Sequence, residues 1–320
     1  VLPLSFDYGL YQMLMTASFG GTLVLEKSYG YSYSVMERIK QEQVTGFPIV
    51  PTIATLLLKM NGLGQGRFPS LRYLTSTGDV LPVPVIAKLR AALPTVKIFS
   101  MYGLTECKRV SYLPPSEIDA RPSSVGIAIP NTEVFVLRED GEVCHPGEVG
   151  ELVVRGSTVM QGYWNDLETT ARVYRKGRYR ADALLFTGDL FRMDPDGYLY
   201  YVSRKDDLLK VKEERISPKE IEDVILCVEG VSEAAVAVWS DSNLVKSLSA
   251  FVVPSSQAFP DSQALLFHCQ LNLEDHLIPR SFFFVDHLPK TANGKIDRKA
   301  LDKEFTDRNR VAAEGGFLND

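Results

Sequence analysis

Val96-Lys-Ile-Phe-Ser-Met-Tyr-Gly-Leu-Thr-Glu106 is the stretch on which the reading of this chain turns. Residues 96–100 read as a strand, and residues 103–106 bring a different chemistry: a glycine that permits a tight turn, a hydroxyl and a carboxylate. Polar strings at the carboxyl ends of strands are where parallel α/β sheets bind ligands. The segments upstream supply such a sheet. Residues 47–50 and 71–76 read as short strands, 52–60 and 82–93 as helices, and 37–44, behind apolar Val35, Met36 and Ile39, as an amphipathic helix. Strand–helix alternation of this kind predicts a parallel sheet with helices on its faces. Val1-Leu-Pro-Leu4 reads as one more buried strand.

From about Pro114 the texture changes. Short β-rich segments at 133–137, 148–155 and 197–202 are separated by Gly, Asp and Pro turns, the pattern of a small antiparallel sheet or barrel. Residues 203–207 are dense in charge without a core pattern, which makes them a linker candidate. Beyond them Ser217-Pro-Lys-Glu220 reads as a capping-box helix start with Pro at the first helical position, followed by apolar Ile221, Val224, Ile225 and Val228. Residues 231–239, 249–253 and 282–285 read as strands and 261–273 as a helix. The expected architecture is α/β and α+β in three parts: 1–115 a parallel-sheet part, 116–203 a β-rich subdomain, 204–320 a C-terminal α+β domain.

The 320 residues are enough for two domains, and 45% hydrophobic with 23% charged residues is the composition of a soluble globular enzyme. A net charge of −5 gives no electrostatic case for nucleic acid or an anionic membrane as partner. Cys107, Cys144, Cys227 and Cys269 are scattered without CxxC spacing, so they read as reduced thiols of a cytoplasmic protein, with neither a zinc site nor a disulfide framework. No apolar run is long enough to span a membrane; 81–93 is broken by Pro and charge. The chain opens on Val1, directly in a buried-looking segment, and the expectation is that its true N-terminus lies upstream.

Four strings carry the chemistry: Met101-Tyr-Gly-Leu-Thr-Glu106, Phe186-Thr-Gly-Asp-Leu190, Ser203-Arg-Lys-Asp-Asp207 and Leu288-Pro-Lys-Thr-Ala-Asn-Gly-Lys295. The Thr105 hydroxyl can bond a phosphate oxygen, and Glu106 offers the hard oxygen that Mg²⁺ takes alongside substrate phosphates. Asp189 can accept bonds from both hydroxyls of a ribose. Lys295, projected by the Asn293-Gly294 turn, is a flexible ammonium able to bridge two anions. Each also has a plain alternative: a strand-to-helix turn, a Gly-Asp turn, a solvated linker, a surface lysine.

Taken in order, the four strings resemble the adenylate-forming (AMP-dependent) ligase superfamily, which holds acyl-CoA synthetases, peptide-synthetase adenylation domains and beetle luciferases. The resemblance implies ATP-dependent activation of a carboxylic acid to an acyl-adenylate, then transfer to the thiol of CoA or of a carrier protein's phosphopantetheine. It also implies a fold: the C-terminal part of a large α/β domain with a small β subdomain, followed by a mobile α+β lid domain. By the same resemblance Tyr102 lies against the adenine, and Gly78 and Asp79 present backbone to its other face. Gly103 shapes the turn, Thr105 contacts the α-phosphate and Glu106 holds the metal. Asp189 and Arg204 hold the ribose, Asp206 is the pivot of the lid, and Lys295 is the adenylation lysine. Lys205 and Asp207 are expected to be solvated linker charges.

Tyr8, Tyr11, Pro48, Thr75, Met101 and Arg109 fall at positions that line the acid pocket in that family. The tyrosines would narrow it, Arg109 could meet an anionic tail, and Asp7 could pair with an α-amino group or be an exposed acid at a strand end. Gln161-Gly-Tyr-Trp-Asn165 matches the family's framework, with Trp164 given a packing role.

The pattern departs from the family twice. A Gly-, Ser/Thr-rich phosphate loop is missing; Asn61-Gly-Leu-Gly-Gln-Gly66 has glycines but neither hydroxyls nor lysine. Glu213 stands where the family commonly has Gly near the incoming thiol, although Arg215 matches a basic position. Three rivals stay open: an amino acid-activating, carrier-loading domain, favoured by Asp7 and Glu213; a luciferase-like oxygenase; and a non-catalytic AMP-binding protein that has lost the loop.

Overall fold

The computed structural model describes residues 1–27, 32–59, 63–64, 66–177, 183–211, 214–240, 246–255, 261–291, 296–298, 300–301 and 303. Lys295 and Glu213 lie outside the described residues. The chain divides into two compact units, Val1–Asp206 and Asp207–Asp320.

The first unit begins with helix α1 (Asp7–Ser18), then α2 (Ser32–Gln41), β1 (Gly46–Ile49), α3 (Pro51–Lys59), β2 (Tyr73–Ser76), α4 (Val83–Ala92) and β3 (Lys97–Tyr102). Strands β1, β2 and β3 are adjacent and parallel. Helices α2, α3 and α4 each bury one apolar stripe against them: Val35, Met36 and Ile39 from α2, Ile53, Ala54 and Leu57 from α3, Ile86 and Leu89 from α4. Phe47, Ile49, Leu74 and Ile98 complete this core from the strands. The alternation of elements expected from sequence is present, but its opening differs. Val1–Leu4 forms no strand. Pro3 has no N–H for a ladder, and its carbonyl accepts the Phe6 N–H, which turns the chain into α1. Asp7 is therefore the first residue of a helix, not the end of a strand.

No helix stands between β3 and the next strand. The chain doubles back into β4 (Ser111–Tyr112), antiparallel to β3, and then β5 (Ile127–Ala128), so the five-stranded sheet is mixed. The next sheet is antiparallel: β6 (Thr132–Leu137), β7 (Gly150–Gly156), helix α5 (Leu167–Val173), β8 (Tyr174–Lys176), β9 (Ala183–Met193) and β10 (Leu199–Arg204), in the order β10-β9-β7-β6 with β8 on β9. Val136, Leu152, Val154, Leu185, Phe191 and Leu199 form its core. Cys107 and Val110, from the loop after β3, are buried in that same cluster. The loop at the carboxyl end of one sheet is thereby clamped by the core of the other, which positions the site.

The second unit carries a hairpin of β11 (Leu209–Val211) and β12 (Glu214–Ile216), then α6 (Pro218–Leu226), β13 (Val231–Ser240), β14 (Lys246–Pro254), α7 (Ser262–Asn272) and β15 (Ser281–Phe284). β13 and β14 are antiparallel, and β14 and β15 parallel. Helix α6 starts at Pro218 and buries Ile221 and Ile225, yet the expected Ser217 cap bond is not made; the φ fixed by Pro218 starts the first turn without it. Glu222 is buried at 7% exposure, taking the Val236 N–H at 2.7 Å and both terminal nitrogens of Arg298.

Candidate functional site

Parallel strands β2 and β3 run in register, with Ser76 beside Ser100, so the turns that leave their carboxyl ends start side by side. After β2 comes Gly78 at φ +92°, in the left-handed region that favours glycine. Asp79 next to it is exposed, and its Oδ1 accepts the Val80 N–H at 2.8 Å.

After β3 the chain makes a loop tied at both ends. The Lys108 N–H bonds the Leu104 carbonyl at 2.7 Å, and the Val110 N–H bonds the Tyr102 carbonyl at 3.0 Å. Gly103 is demanded here by proximity: a Cβ would stand 2.1 Å from the Lys108 carbonyl oxygen. Lys108 itself takes a positive φ of 60°. Thr105 faces solvent at the outer edge of the loop. Burial pushes the Cys107 thiol up to about 12, so it is a packing residue and not a nucleophile.

Asp189 does not sit in a turn between strands, as its Gly-Asp context implied; it lies inside β9 at a bulge. Glu151 pairs with Leu190 and Val153 with Phe186, so Thr187, Gly188 and Asp189 together face Leu152. Gly188 takes φ +71° to allow it. The Thr187 hydroxyl donates to the Leu152 carbonyl at 2.8 Å and receives the Asp189 N–H at 3.1 Å. The bulge re-aims the carboxylate, only 8% of whose residue surface is exposed. Tyr102 Oη donates to Asp189 Oδ2 at 2.6 Å, and Arg204 Nε lies 3.1 Å from Oδ1. Arg204 reaches it because β10 pairs Arg204 directly with Asp189. Burial first, and then the Asp189 charge, raise the Tyr102 hydroxyl well above its ordinary range, which keeps it a donor. The Tyr102 ring is held edge-on to buried Phe191, 4.8 Å between centroids. A carboxylate has about four acceptor positions, so it can take several donors at once.

Lys205 is paired: its Nζ is 2.6 Å from Glu151 Oε2, while Glu151 Oε1 takes the Gly188 N–H at 3.0 Å. It braces the bulge and is not the merely solvated charge that its linker context implied. Asp206 ends the first unit.

Glu106 Oε1 accepts the Tyr163 hydroxyl at 2.5 Å, and the Glu106 carbonyl accepts the Met160 N–H at 2.8 Å. Tyr163 is in turn held by the Thr170 hydroxyl of α5, which takes its N–H at 2.9 Å. Burial, and then the hydrogen bond to Glu106 and its charge, push the Tyr163 hydroxyl up to about 12. Sequence reasoning missed Tyr163; its only signal was an aromatic with a polar tip inside the Gln161–Asn165 string. Trp164 beside it is 92% exposed and does not pack. Among the described residues no cluster of three or more His, Cys, Asp or Glu could hold a metal. Glu106 alone fits Mg²⁺ only where nucleotide phosphates supply the other oxygens, which is how Mg²⁺ is commonly held.

The expected acid-pocket residues also converge. Tyr8 of α1, 3% exposed, donates its hydroxyl to the Thr75 carbonyl of β2 at 2.8 Å. Pro48 of β1 pairs across from Thr75, and Met101 lies half-buried on β3. The Arg109 guanidinium carbon is 5.7 Å from the centre of the Tyr8 ring, and Lys108 Nζ is 3.8 Å from that of Tyr11. Asp7 lies one residue before Tyr8, in the first turn of α1.

The family model for the AMP-binding enzyme matches residues 1–164, just over half the chain, and that for the AMP-binding enzyme C-terminal domain matches 220–295. The chain belongs to the AMP-binding enzyme family. Among curated relatives, a long-chain-fatty-acid–CoA ligase of Bacillus subtilis (strain 168) is 32% identical over 97% of this chain and 54% of its own length. An L-proline–[L-prolyl-carrier protein] ligase of Pseudomonas fluorescens is 32% identical over 94% of this chain and 59% of its own. The chain thus spans between half and three-fifths of these two AMP-binding enzymes. A solved o-succinylbenzoate coenzyme A synthetase from Bacillus subtilis, in complex with ATP and magnesium ion, superposes with a TM-score of 0.79 at 30% identity, covering 94% of this chain and 60% of that one. The mixed α/β and α+β fold is that of adenylate-forming enzymes.

Proposed function

We propose that this chain serves an ATP-dependent, AMP-forming ligase activity that joins a carboxylic acid to a thiol, on CoA or on a carrier protein. The observation that carries the reading is the buried Asp189 carboxylate, held by two motifs far apart in sequence through Tyr102 and Arg204. A carboxylate fixed in this way is the kind of acceptor that a ribose diol takes. Tyr102 would flank the adenine opposite the Gly78–Asp79 backbone, and Thr105 would bond the α-phosphate. Glu106 would hold Mg²⁺, with Tyr163 fixing its rotamer.

In the first half-reaction an oxygen of the acid's carboxylate bonds to the α-phosphorus, the α–β anhydride bond breaks, and pyrophosphate leaves. In the second, a thiol sulfur attacks the acyl carbon, the bond to AMP breaks and the thiol proton goes to solvent. Attack of one anion on another needs a cation at that point, and Lys295 is the residue for it. Residues 1–115 and 116–203 would form the core and 204–320 the lid, pivoting at Asp206. The cationic Lys108–Arg109 pair beside α1 weighs against Asp7 as an ammonium site, and so favours an acid without an α-amino group. Scattered free thiols support a cytoplasmic enzyme.

The test is ATP–pyrophosphate exchange with a panel of fatty, aromatic and amino acids, using Asp189→Ala as control and AMP binding measured in parallel. Exchange above the control with any acid supports the ligase. A folded protein that neither exchanges nor binds AMP refutes it.

A further inference from the structure

Arg109 is a buried cation that the site described above leaves unexplained. It is largely buried, and its Nη1 is enclosed with no hydrogen-bond partner. Among the described residues no carboxylate lies in ion-pair range of it. A buried guanidinium without a counter-anion is strongly destabilising, because the desolvation of the charge is left uncompensated. Burial indeed lowers its proton affinity, with Tyr8, Asp7 and Cys107 the nearby groups that act against that.

Lys108, the next residue back, is also without an ion pair among the described residues, and burial together with Arg109 lowers its proton affinity as well. The two cations are brought to one place at a cost. Lys108 takes a positive φ of 60°, a conformation that non-glycine residues rarely adopt, and the two side chains lie against Tyr11 and Tyr8, one turn apart on α1. Strain, unpaired charge and a buried donor without an acceptor coincide at the same few residues. Tyr8, against whose ring Arg109 lies, donates its hydroxyl to the Thr75 carbonyl of β2, at the end of the sheet where the motifs gather.

We infer that Arg109, assisted by Lys108, binds a second anionic group on the acid substrate, so that the acids accepted carry a carboxylate or comparable anion at the end remote from the one activated. This rests on the acid-activating function proposed for the chain. The Arg109 guanidinium would bond the remote carboxylate in a charge-assisted pair, Lys108 would raise the local potential, and the Tyr8 and Tyr11 rings would wall the intervening chain.

The experiment is isothermal titration calorimetry on this chain with length-matched pairs, hexanoate against adipate and decanoate against sebacate. The expected result is dicarboxylate binding about tenfold or more tighter than its partner, in line with the worth of a charged hydrogen bond. The preference should fall to within about threefold in Arg109→Gln and be partly kept in Arg109→Lys. Lys108→Gln, at a less buried position, keeps the test open if the Arg109 variants fail to fold; it should reduce the preference and weaken its dependence on salt. Equal binding of both members of each pair, no binding of either, or a preference untouched by Lys108→Gln and Arg109→Gln overturns the inference. AMP titrated in the same cell separates the two readings. AMP binding without a dicarboxylate preference removes the subsite alone, and a preference without AMP binding removes the nucleotide reading alone.

Discussion

Asp189→Asn changes one atom and one charge at the centre of the site, and its effects on binding and on stability should be very different in size. In the folded chain Tyr102 Oη gives a hydrogen bond to Asp189, and Arg204 Nε forms an ion pair with it. Asparagine keeps one acceptor oxygen and turns the other position into a donor. The Tyr102 hydroxyl can rotate to accept from it, so that contact survives in reverse. The Arg204 pair is lost as an ion pair, but the Arg204 side chain is 54% exposed, and such pairs are worth at most about 1 kcal/mol. The stability of the first unit should therefore fall by about 1 kcal/mol or less.

Nucleotide binding has no such compensation. Two ribose hydroxyls that would donate to a buried carboxylate would meet one neutral acceptor and one amide donor. Bonds to charged groups are worth about 1.5–3 kcal/mol each, so AMP affinity should fall by about 3 kcal/mol, on the order of a hundredfold. Calorimetric titration of AMP and urea denaturation of the same two proteins give both numbers. A folded Asp189→Asn chain that binds AMP within about threefold of the parent refutes the ribose role. A stability loss of several kcal/mol with unchanged affinity would make Asp189 a structural residue.

Lys295→Ala should abolish ATP–pyrophosphate exchange and leave AMP affinity within about threefold; a large loss of AMP binding contradicts the adenylation role. Glu222→Ala should destabilise the second unit by about 3–5 kcal/mol, because it removes the counter-charge of Arg298, whose Val236 carbonyl contact remains, and the acceptor of the Val236 N–H; a urea midpoint shift worth less than about 1 kcal/mol would show the pair to be dispensable. Gly103→Ala drives a methyl to 2.1 Å from the Lys108 carbonyl and should cost about 2 kcal/mol or more while displacing the loop that carries Glu106; a variant of parental stability would show that the loop yields freely. Burial holds the Cys107 thiol up to about 12 and that of Cys269 up to about 11, whereas Cys227 is exposed, so iodoacetamide at pH 8 should label Cys227 first. The folded chain keeps those two protons where the unfolded chain loses them, so stability should fall as pH rises from about 9 to 11; equal labelling of all three thiols, or flat stability across that window, would contradict the buried placement.

Much of the fold was legible because it arises from local pattern. Val35, Met36 and Ile39 sit at helical spacing and become the buried stripe of α2, and the strand–helix alternation of residues 46–102 could only be satisfied by a parallel sheet. Glu106 and Asp189 could be named because carboxylate chemistry is written in residue type, whereas Tyr102 and Arg204 were named through the resemblance that the motif strings carry. Three things were beyond local pattern. The bulge that aims Asp189 depends on β7 pairing with β9, and periodicity within one strand carries no trace of its partner's register. The bond from Tyr163 to Glu106 joins residues 57 positions apart, with nothing in either segment to show that they meet. The clustering of Lys108 and Arg109 against α1 depends on a left-handed residue in the loop, and lysine does not announce one. Sequence by itself determined which elements form and which chemical groups are available, because propensity, amphipathicity and ionisation belong to the residues. The tertiary structure alone decided which of those groups meet and which are left unpaired, because register, bulges and burial are properties of pairs of segments.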